Sequence, residues 1–234
     1  MSWSSDRKAY RFQEVVGEEI SEKKYNMVLG GTVFYGLFLN VILCALFGDA
    51  MVEWMTGLSR GGMIFMSILM VVPVIIGGIV ASVSHNPVVS FIGYNLVVLP
   101  LGLLVSSSVS LYLQAGMGDI VFQAIVYTAA ITFIMIALAC AFPNFFARLG
   151  GLLLGALIGL IVAELVALLI FRTHQTIFAW IGAVIFSFYI GFDYWRAQQY
   201  PKTVDNAIDC AVDIYLDIIN LFLRILAILS DSKD

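Results

Sequence analysis

The chain has 234 residues, of which 61% are hydrophobic and 12% are charged, whereas charged residues make up about 25% of a typical soluble domain. This composition excludes an ordinary soluble globular protein and indicates an integral membrane protein. The formal net charge of −4 and the lack of a basic run give no indication of nucleic-acid binding.

The chain begins with a polar segment, residues 1–26, which is followed by an apolar run at residues 27–47. The run has the length of about 20 residues that a helix needs to cross the hydrocarbon core of a bilayer. It is too long for the apolar core of a signal peptide and has no clear cleavage site at its end. We therefore interpret it as the first membrane span.

Further apolar runs predict a helical membrane protein with one domain. They lie at residues 62–83, 87–112, 119–141, 150–171, 176–196 and 207–229. With the first run they predict seven transmembrane helices in a single membrane domain, residues 27–229, followed by a short acidic tail at 230–234. The longest predicted loops are residues 48–61 and 197–206.

Glycines in two of the predicted helices indicate close helix crossings. Gly77 and Gly78 follow Pro73 in the second helix and predict a kink or a tight crossing there. A stripe of glycines at every fourth residue in the fifth helix predicts that another helix backbone approaches closely. The members of this stripe are Gly151, Gly155 and Gly159.

The distribution of Lys and Arg predicts the orientation. With seven spans, eight of these residues lie in the N-terminal segment and the even-numbered loops, and three lie on the opposite side. The positive-inside rule then places the N-terminus in the cytoplasm and the C-terminus outside. The C-terminal side depends on whether the last helix crosses completely, and a re-entrant hairpin is the alternative. The short acidic tail favours a prokaryotic cell membrane.

The last helix is the only apolar run that also carries a row of charged residues. Together with one asparagine, these residues follow one another at steps of four, four, three and four, so they line one face of a helix. They are Asp209, Asp213, Asp217, Asn220 and Arg224. An acidic stripe on an apolar helix is expected to face protein or a water-filled cavity. We therefore expect the other helices to form a wall around the last one.

Only two further acids lie well inside apolar runs, Glu164 and Asp193. We expect Glu164 to be a relay group or a protonated acid bonded to a neighbouring hydroxyl. Asp193 lies about 9 Å below the loop that joins its helix to the last one, and Asp213 and Asp217 lie about 9 and 15 Å along that last helix. Either aspartate of the last helix is thus able to reach Asp193.

Two carboxylates in contact in a poorly hydrated site do not both ionise cheaply, so such a pair tends to share a proton. When fully deprotonated, the pair offers the oxygen ligands that Ca²⁺ prefers, and Asp193, Asp217 and Asp213 form the predicted calcium ligand set. Protons and calcium would compete for this place. We predict no cofactor beyond Ca²⁺ as a permeant or bound ion.

Two motifs carry a family resemblance over roughly the last 50 residues. The run IYLDIINLF at residues 214–222 resembles the last-helix motif of the Bax inhibitor family (transmembrane Bax inhibitor motif proteins), and SFYIGFD at 187–193 resembles its sixth-helix motif. The resemblance implies six helices around a central acidic seventh helix, and a calcium-leak channel in which Asp193 and Asp217 are the pH sensor and gate. In bacterial members a basic residue in the second helix contacts the pair, but residues 62–83 contain no Arg or Lys.

The expected partners are the lipid bilayer, Ca²⁺ and protons, and we do not expect an enzyme. The first alternative is a non-transporting membrane regulator of stress responses that acts through protein partners. A less favoured alternative is an intramembrane aspartyl protease, which also needs one Asp on each of two adjacent spans. In such proteases the second Asp normally follows Gly-x-Gly, whereas Asp217 follows Ile214-Tyr215-Leu216.

Overall fold

The computed structural model of the chain describes residues 18–167, 169 and 176–232, except for the side chains of residues 60, 63, 64 and 67. All regular secondary structure in this part of the chain is helical, which confirms the all-α class. Most of the N-terminal polar segment and the loop after the fifth predicted helix lie outside the described residues.

Seven long helices, numbered α1 to α7, account for most of the described residues. They are α1 Glu22–Thr56, α2 Arg60–Val83, α3 Pro87–Gln114, α4 Gly118–Ala141, α5 Gly150–Val166, α6 Thr176–Ala197 and α7 Val204–Asp231. A one-turn helix, Pro143–Phe146, precedes α5.

Residues with short polar side chains cap the N-termini of three of these helices. Ser21 accepts a hydrogen bond from the backbone N–H of Lys24 at the start of α1, and Ser59 accepts one from Gly62 at the start of α2. Asn86 accepts a hydrogen bond from Val88 at the start of α3, with Pro87 in the first helical position. These caps satisfy backbone donors that have no partner inside the helix.

The predicted loop at residues 48–61 is wrong, because α1 continues to Thr56 and only residues 57–59 separate it from α2. Helix α1 has 35 residues and is about 50 Å long, so it exceeds the roughly 30 Å of a hydrocarbon core. The apolar run ends at Phe47, but Ala50, Met51, Glu53 and Met55 favour a helix and no proline interrupts it before Gly57. A fall in hydropathy marked the end of the apolar run and not the end of the helix.

Four of the helices are long and apolar enough to cross a membrane, namely α1, α3, α4 and α6. Two shorter apolar helices also occur among the described residues, Ile68–Val83 within α2 and Gly150–Val166, which is α5. The helix α7 does not belong to either group. The arrangement of seven spans and the cytoplasmic N-terminus therefore stay predictions.

The chain divides into two compact units, which are described separately. One unit contains the described residues up to 116 together with residues 199–215, and it includes α1, α2, α3 and the first part of α7. The other contains residues 117–198 and the chain from residue 216, with α4, α5, α6 and the rest of α7. The single membrane domain and the central position of the last helix stay predictions.

In the first unit, contacts around Tyr25 hold the start of α1 against the loop before α7. The ammonium nitrogen of Lys202 lies 4.3 Å from the centre of the Tyr25 ring, and the backbone N–H of Ile20 donates to the carbonyl oxygen of Lys202 at 2.7 Å. Burial lowers the pKa of Lys202, while the Glu22 carboxylate acts in the opposite direction. The loop is therefore fixed at the point where the last helix begins.

The crossing of α2 and α3 depends on two glycines that touch each other. A Cβ atom on Gly77 would lie 2.5 Å from the carbonyl oxygen of Gly93, and a Cβ atom on Gly93 would lie 2.7 Å from the backbone nitrogen of Ala81. The predicted tight crossing is therefore present at Gly77. By contrast, no described atom lies within 4 Å of a Cβ built on Gly78.

The glycine stripe in α5 does not form the predicted close helix approach. A Cβ atom built on Gly151, Gly155 or Gly159 meets no atom within 4 Å in the described part of the protein. Small residues at this spacing permit a close crossing but do not supply the facing helix.

The two neighbouring glycines of α2 provide a matched test of this packing. We expect Gly77→Ala to lower the free energy of unfolding by about 1–3 kcal/mol, because the new methyl group overlaps the backbone of α3. Gly78→Ala should be neutral or stabilising by up to about 1 kcal/mol, because alanine is the better helix former. Thermal denaturation of both variants in detergent measures the difference, and equal midpoints would contradict this account.

Candidate functional site

Aromatic rings packed on glycines hold the end of α6 in the second unit. A Cβ atom on Gly191 would overlap the ring of Phe146, and one on Gly150 would lie 2.9 Å from the ring of Phe192. The one-turn helix therefore packs against the backbone of α6 at Gly191, and the start of α5 packs against the side chain of Phe192. This packing fixes the part of α6 that carries Asp193.

The carboxyl groups of Asp193 and Asp217 meet in this unit. Asp193 lies on α6 and Asp217 on α7, their residues are 6% and 7% exposed, and their carboxyl groups lie close enough to interact. Tyr189, one turn before Asp193, interacts electrostatically with both carboxyl groups. The distances along the two helices from their connecting loop allowed either Asp213 or Asp217 to reach Asp193. The interaction found is with Asp217.

Arg196 is the cation next to this pair, and it was not among the site residues predicted from the sequence. Its Nη2 atom lies 3.0 Å from Oδ1 of Asp193, and its side chain is 36% exposed. The guanidinium carbon also lies 5.6 Å from the centre of the Phe192 ring. The signal was present in the spacing, because residues three apart on a helix are neighbours. The family resemblance had directed the search for a cation to the second helix.

Glu164 and Arg224 form a separate ion pair in the same unit. Nη2 of Arg224 donates to Oε2 of Glu164 at 3.1 Å, and Nη1 donates to Oε1, so the contact is bidentate. Glu164 is thus bonded to a guanidinium and not to the hydroxyl that the sequence suggested. A Cβ atom on Gly182 would lie 2.8 Å from Nε of Arg224, so this glycine makes room for the arginine.

The remaining members of the predicted stripe have other surroundings. In the first unit the Ser90 hydroxyl donates to Oδ1 of Asp205 at 2.7 Å, and Asp209 lies close to both residues. Asp213 interacts electrostatically with Asp209. In the second unit the Asn220 amide donates to the carbonyl oxygen of Leu216 in its own helix at 2.8 Å.

Asp205 was also missed in the sequence, although it extends the stripe by one more step of four residues. It is 4% exposed, and its hydrogen bond joins the start of α7 to the start of α3. We had placed the beginning of the last helix at residue 207, whereas α7 begins at Val204. The error in the boundary removed this aspartate from the pattern.

The three-carboxylate calcium site is not formed among the described residues. No group of three or more His, Cys, Asp or Glu side chains in this part of the chain is arranged to hold a metal ion. The predicted ligand set was Asp193, Asp213 and Asp217. The geometry found is a pair of buried carboxyl groups with one guanidinium beside them, which is suited to holding a proton.

Long apolar helices that carry buried, paired carboxyl groups define a multi-pass helical membrane protein. The chain matches the family model described as inhibitor of apoptosis-promoting Bax1 over residues 19–234. The protein belongs to this Bax inhibitor family, as the two motifs in its last two helices had suggested.

Individual relatives agree with this membership. The chain is 30% identical to Protein LIFEGUARD 1 of Arabidopsis thaliana over 187 residues, which are 76% of each protein. It is 35% identical to an uncharacterized protein of Helicobacter pylori over 123 residues, or 52% of each chain, so it spans about half the length of that relative. Bax inhibitor 1 of Saccharomyces cerevisiae is 39% identical over 69 residues, 27% of this chain and 22% of the yeast protein.

The ion pair between Glu164 and Arg224 can be measured with a double-mutant cycle. We expect Glu164→Gln and Arg224→Gln to show a coupling free energy of about 1 kcal/mol, because each variant leaves the other charge without its bidentate partner. The control combines Glu164→Gln with Arg148→Gln, which lies before α5 and should be additive. Thermal denaturation gives the four free energies, and additivity in the Arg224 cycle would refute the pair.

Proposed function

We propose that this protein is a pH-sensitive calcium-leak channel in which Asp193 and Asp217 form the gate. The observation that carries the proposal is the proximity of these two buried carboxyl groups on α6 and α7. Membership of the Bax inhibitor family supports it as well. In this proposal the protein is not an enzyme, and it spans a cell membrane seven times with its N-terminus in the cytoplasm.

A hydrogen bond between two carboxyl groups requires a proton on one of them, because ionised carboxylates only accept. In this proposal the pair shares one proton and carries one negative charge in the closed state. Arg196 lies beside Asp193 and balances the remaining charge. The contact joins α6 to α7 through a proton, so the proton concentration controls how firmly the two helices are held.

Acid should open the pathway. A second proton neutralises the pair, which removes the charge that Arg196 contacts and replaces a charge-assisted hydrogen bond between the two groups with a weaker neutral one. The link between α6 and α7 then weakens, and the gate loosens. The closed state is therefore stable while the pair carries its negative charge, and it is lost as the pH falls.

Calcium is the permeant ion in this proposal, and it uses the carboxylates only in passing. Ca²⁺ takes about six to eight oxygen ligands, whereas two carboxylates supply at most about four oxygens. Water must complete the coordination, so the ion is held weakly enough to leave. Protons compete for the same oxygens, so acid also weakens the binding of Ca²⁺ at the gate.

Calcium flux into proteoliposomes tests the proposal. The native protein should carry Ca²⁺ at a rate that rises from about pH 8 to about pH 5, in line with protonation of the pair. Asp217→Asn should remove most of this pH dependence, because an amide does not titrate in this range. The matched control is Glu53→Gln, which neutralises an exposed acid at the end of α1 and should keep the native profile. No flux above empty liposomes, or an unchanged profile in Asp217→Asn, would refute the channel.

Arg196 provides a second test on the same flux assay. Its positive charge favours the ionised form of the pair, so Arg196→Gln should move the midpoint of acid opening to higher pH by roughly one unit. Arg196→Lys keeps the charge and should move the midpoint by less. An identical midpoint in all three proteins would show that Arg196 does not act on the gate.

A non-transporting regulator is the second candidate, and the description of the family as an inhibitor of apoptosis-promoting Bax1 favours it. Such a protein would act through protein partners, and the carboxyl pair would only hold α6 and α7 together. The double variant Asp193→Asn and Asp217→Asn separates the two candidates. Loss of flux with an unchanged cellular phenotype of the gene would favour the regulator.

The third alternative, an intramembrane aspartyl protease, is tested with the same proteoliposomes. They should not cleave a model transmembrane peptide, and cleavage would favour the protease.

A further inference from the structure

Four of the nine methionines of the chain gather at one end of the first unit. Met51, Met66 and Met70 are 9%, 4% and 8% exposed and form one buried cluster, and the partly buried Met55 packs against it. Leucines close the cluster from the loop and from α3. These are Leu58, Leu103 and Leu104. We call the four methionines the thioether cluster.

The thioether cluster has a regular geometry. Met51 and Met55 are four residues apart on α1, and Met66 and Met70 are four residues apart on α2. Side chains four apart lie one turn above each other on the same helix face. Each helix therefore contributes two methionines one turn apart, and the packing of the cluster brings the two pairs together.

Packing alone is a weak explanation for four methionines at one place. Burying a methionine costs about 1.5–2 kcal/mol of side-chain entropy, whereas burying leucine or isoleucine costs about 0.5–1 kcal/mol. Leucine has a similar volume and already surrounds the cluster on α3. What methionine provides and leucine lacks is a polarizable sulfur atom.

Thioether sulfur is a soft, uncharged donor, and among biological metal ions it selects Cu(I) over the harder ions that prefer carboxylates and water. A neutral donor set is also cheap to bury while it is empty, since no charge has to be desolvated. These properties match a buried cluster of four methionines better than they match a site for Ca²⁺ or Mg²⁺.

The cluster lies near the end of α1. Met51 and Met55 lie beyond residue 47, where the apolar run of α1 ends, and close to the three-residue connection into α2. Met55 is only partly buried, so the cluster is not completely closed.

We propose that Met51, Met55, Met66 and Met70 form a binding site for a soft monovalent metal ion, Cu(I) or its redox-inert analogue Ag(I). The ion enters and leaves without a change of oxidation state, so binding needs no oxidant or reductant. This site is independent of the carboxyl pair and of the calcium flux. It would serve to sense or carry copper.

The experiment uses the full chain in lipid nanodiscs with Cys44, Cys140 and Cys210 replaced by serine, which removes the thiols as competing soft ligands. Ag(I) is titrated directly, and Cu(I) is titrated against a chromogenic Cu(I) chelator. We expect about one ion per chain, with the affinity reduced at least about tenfold in the variant Met66→Leu with Met70→Leu and in the variant Met51→Leu with Met55→Leu. No binding above empty nanodiscs would overturn the proposal.

The controls separate the thioether cluster from methionine in general. Met27→Leu changes an exposed methionine of α1, and Met135→Leu changes a buried methionine of the second unit. Both should keep the native affinity. Equal affinity in the variant with all four cluster methionines replaced by leucine would overturn the proposal.

A spectroscopic measurement keeps the test valid if a leucine variant does not fold. The chain is prepared with selenomethionine, loaded with Cu(I), and examined by X-ray absorption at the selenium and copper edges. Selenium neighbours at bonding distance from copper would support the thioether cluster. A copper shell made only of nitrogen or oxygen would refute it.

Discussion

The constraint on which this structure depends is that a carboxyl group on an apolar helix needs a partner that removes or balances its charge. The protein meets it in three ways. Asp193 and Asp217 lie close to each other with Arg196 alongside, Glu164 bonds to Arg224, and Asp205 accepts from Ser90. An isolated buried charge would cost several kcal/mol, so each contact also selects how two helices meet. The residues of the proposed gate therefore also take part in helix packing.

These three solutions differ in how they respond to the solvent. A guanidinium stays charged at any physiological pH, so the pair of Glu164 with Arg224 is a permanent link. A link made of two carboxyl groups contains a proton and changes when that proton is lost or a second one is gained. The guanidinium of Arg196 is partly exposed, whereas the two aspartates are buried. The site thus combines a buried titratable contact with a cation that reaches towards solvent.

Much of the secondary structure could be predicted, because the hydrophobic length of a span and the capping residues are local signals. Helices α3 and α4 end within two residues of the predicted positions. The end of α1 was wrong, since a helix need not stop where its apolar run stops. The glycine stripe of α5 was also misjudged, because spacing shows that a close crossing is permitted but not that a helix is there. For the site, helix depth admitted both Asp213 and Asp217, which lie on the same face one turn apart.

The sequence by itself determined that this is a helical membrane protein of the Bax inhibitor family and that one face of its last helix is acidic. Hydropathy, periodicity and motifs are properties of a single segment, and a single segment is enough to reveal them. Only the tertiary structure decided that Asp217 meets Asp193, that Arg196 is their cation, and that the methionines of α1 and α2 converge. These contacts depend on the rotation and axial shift of one helix against another, which no single segment encodes.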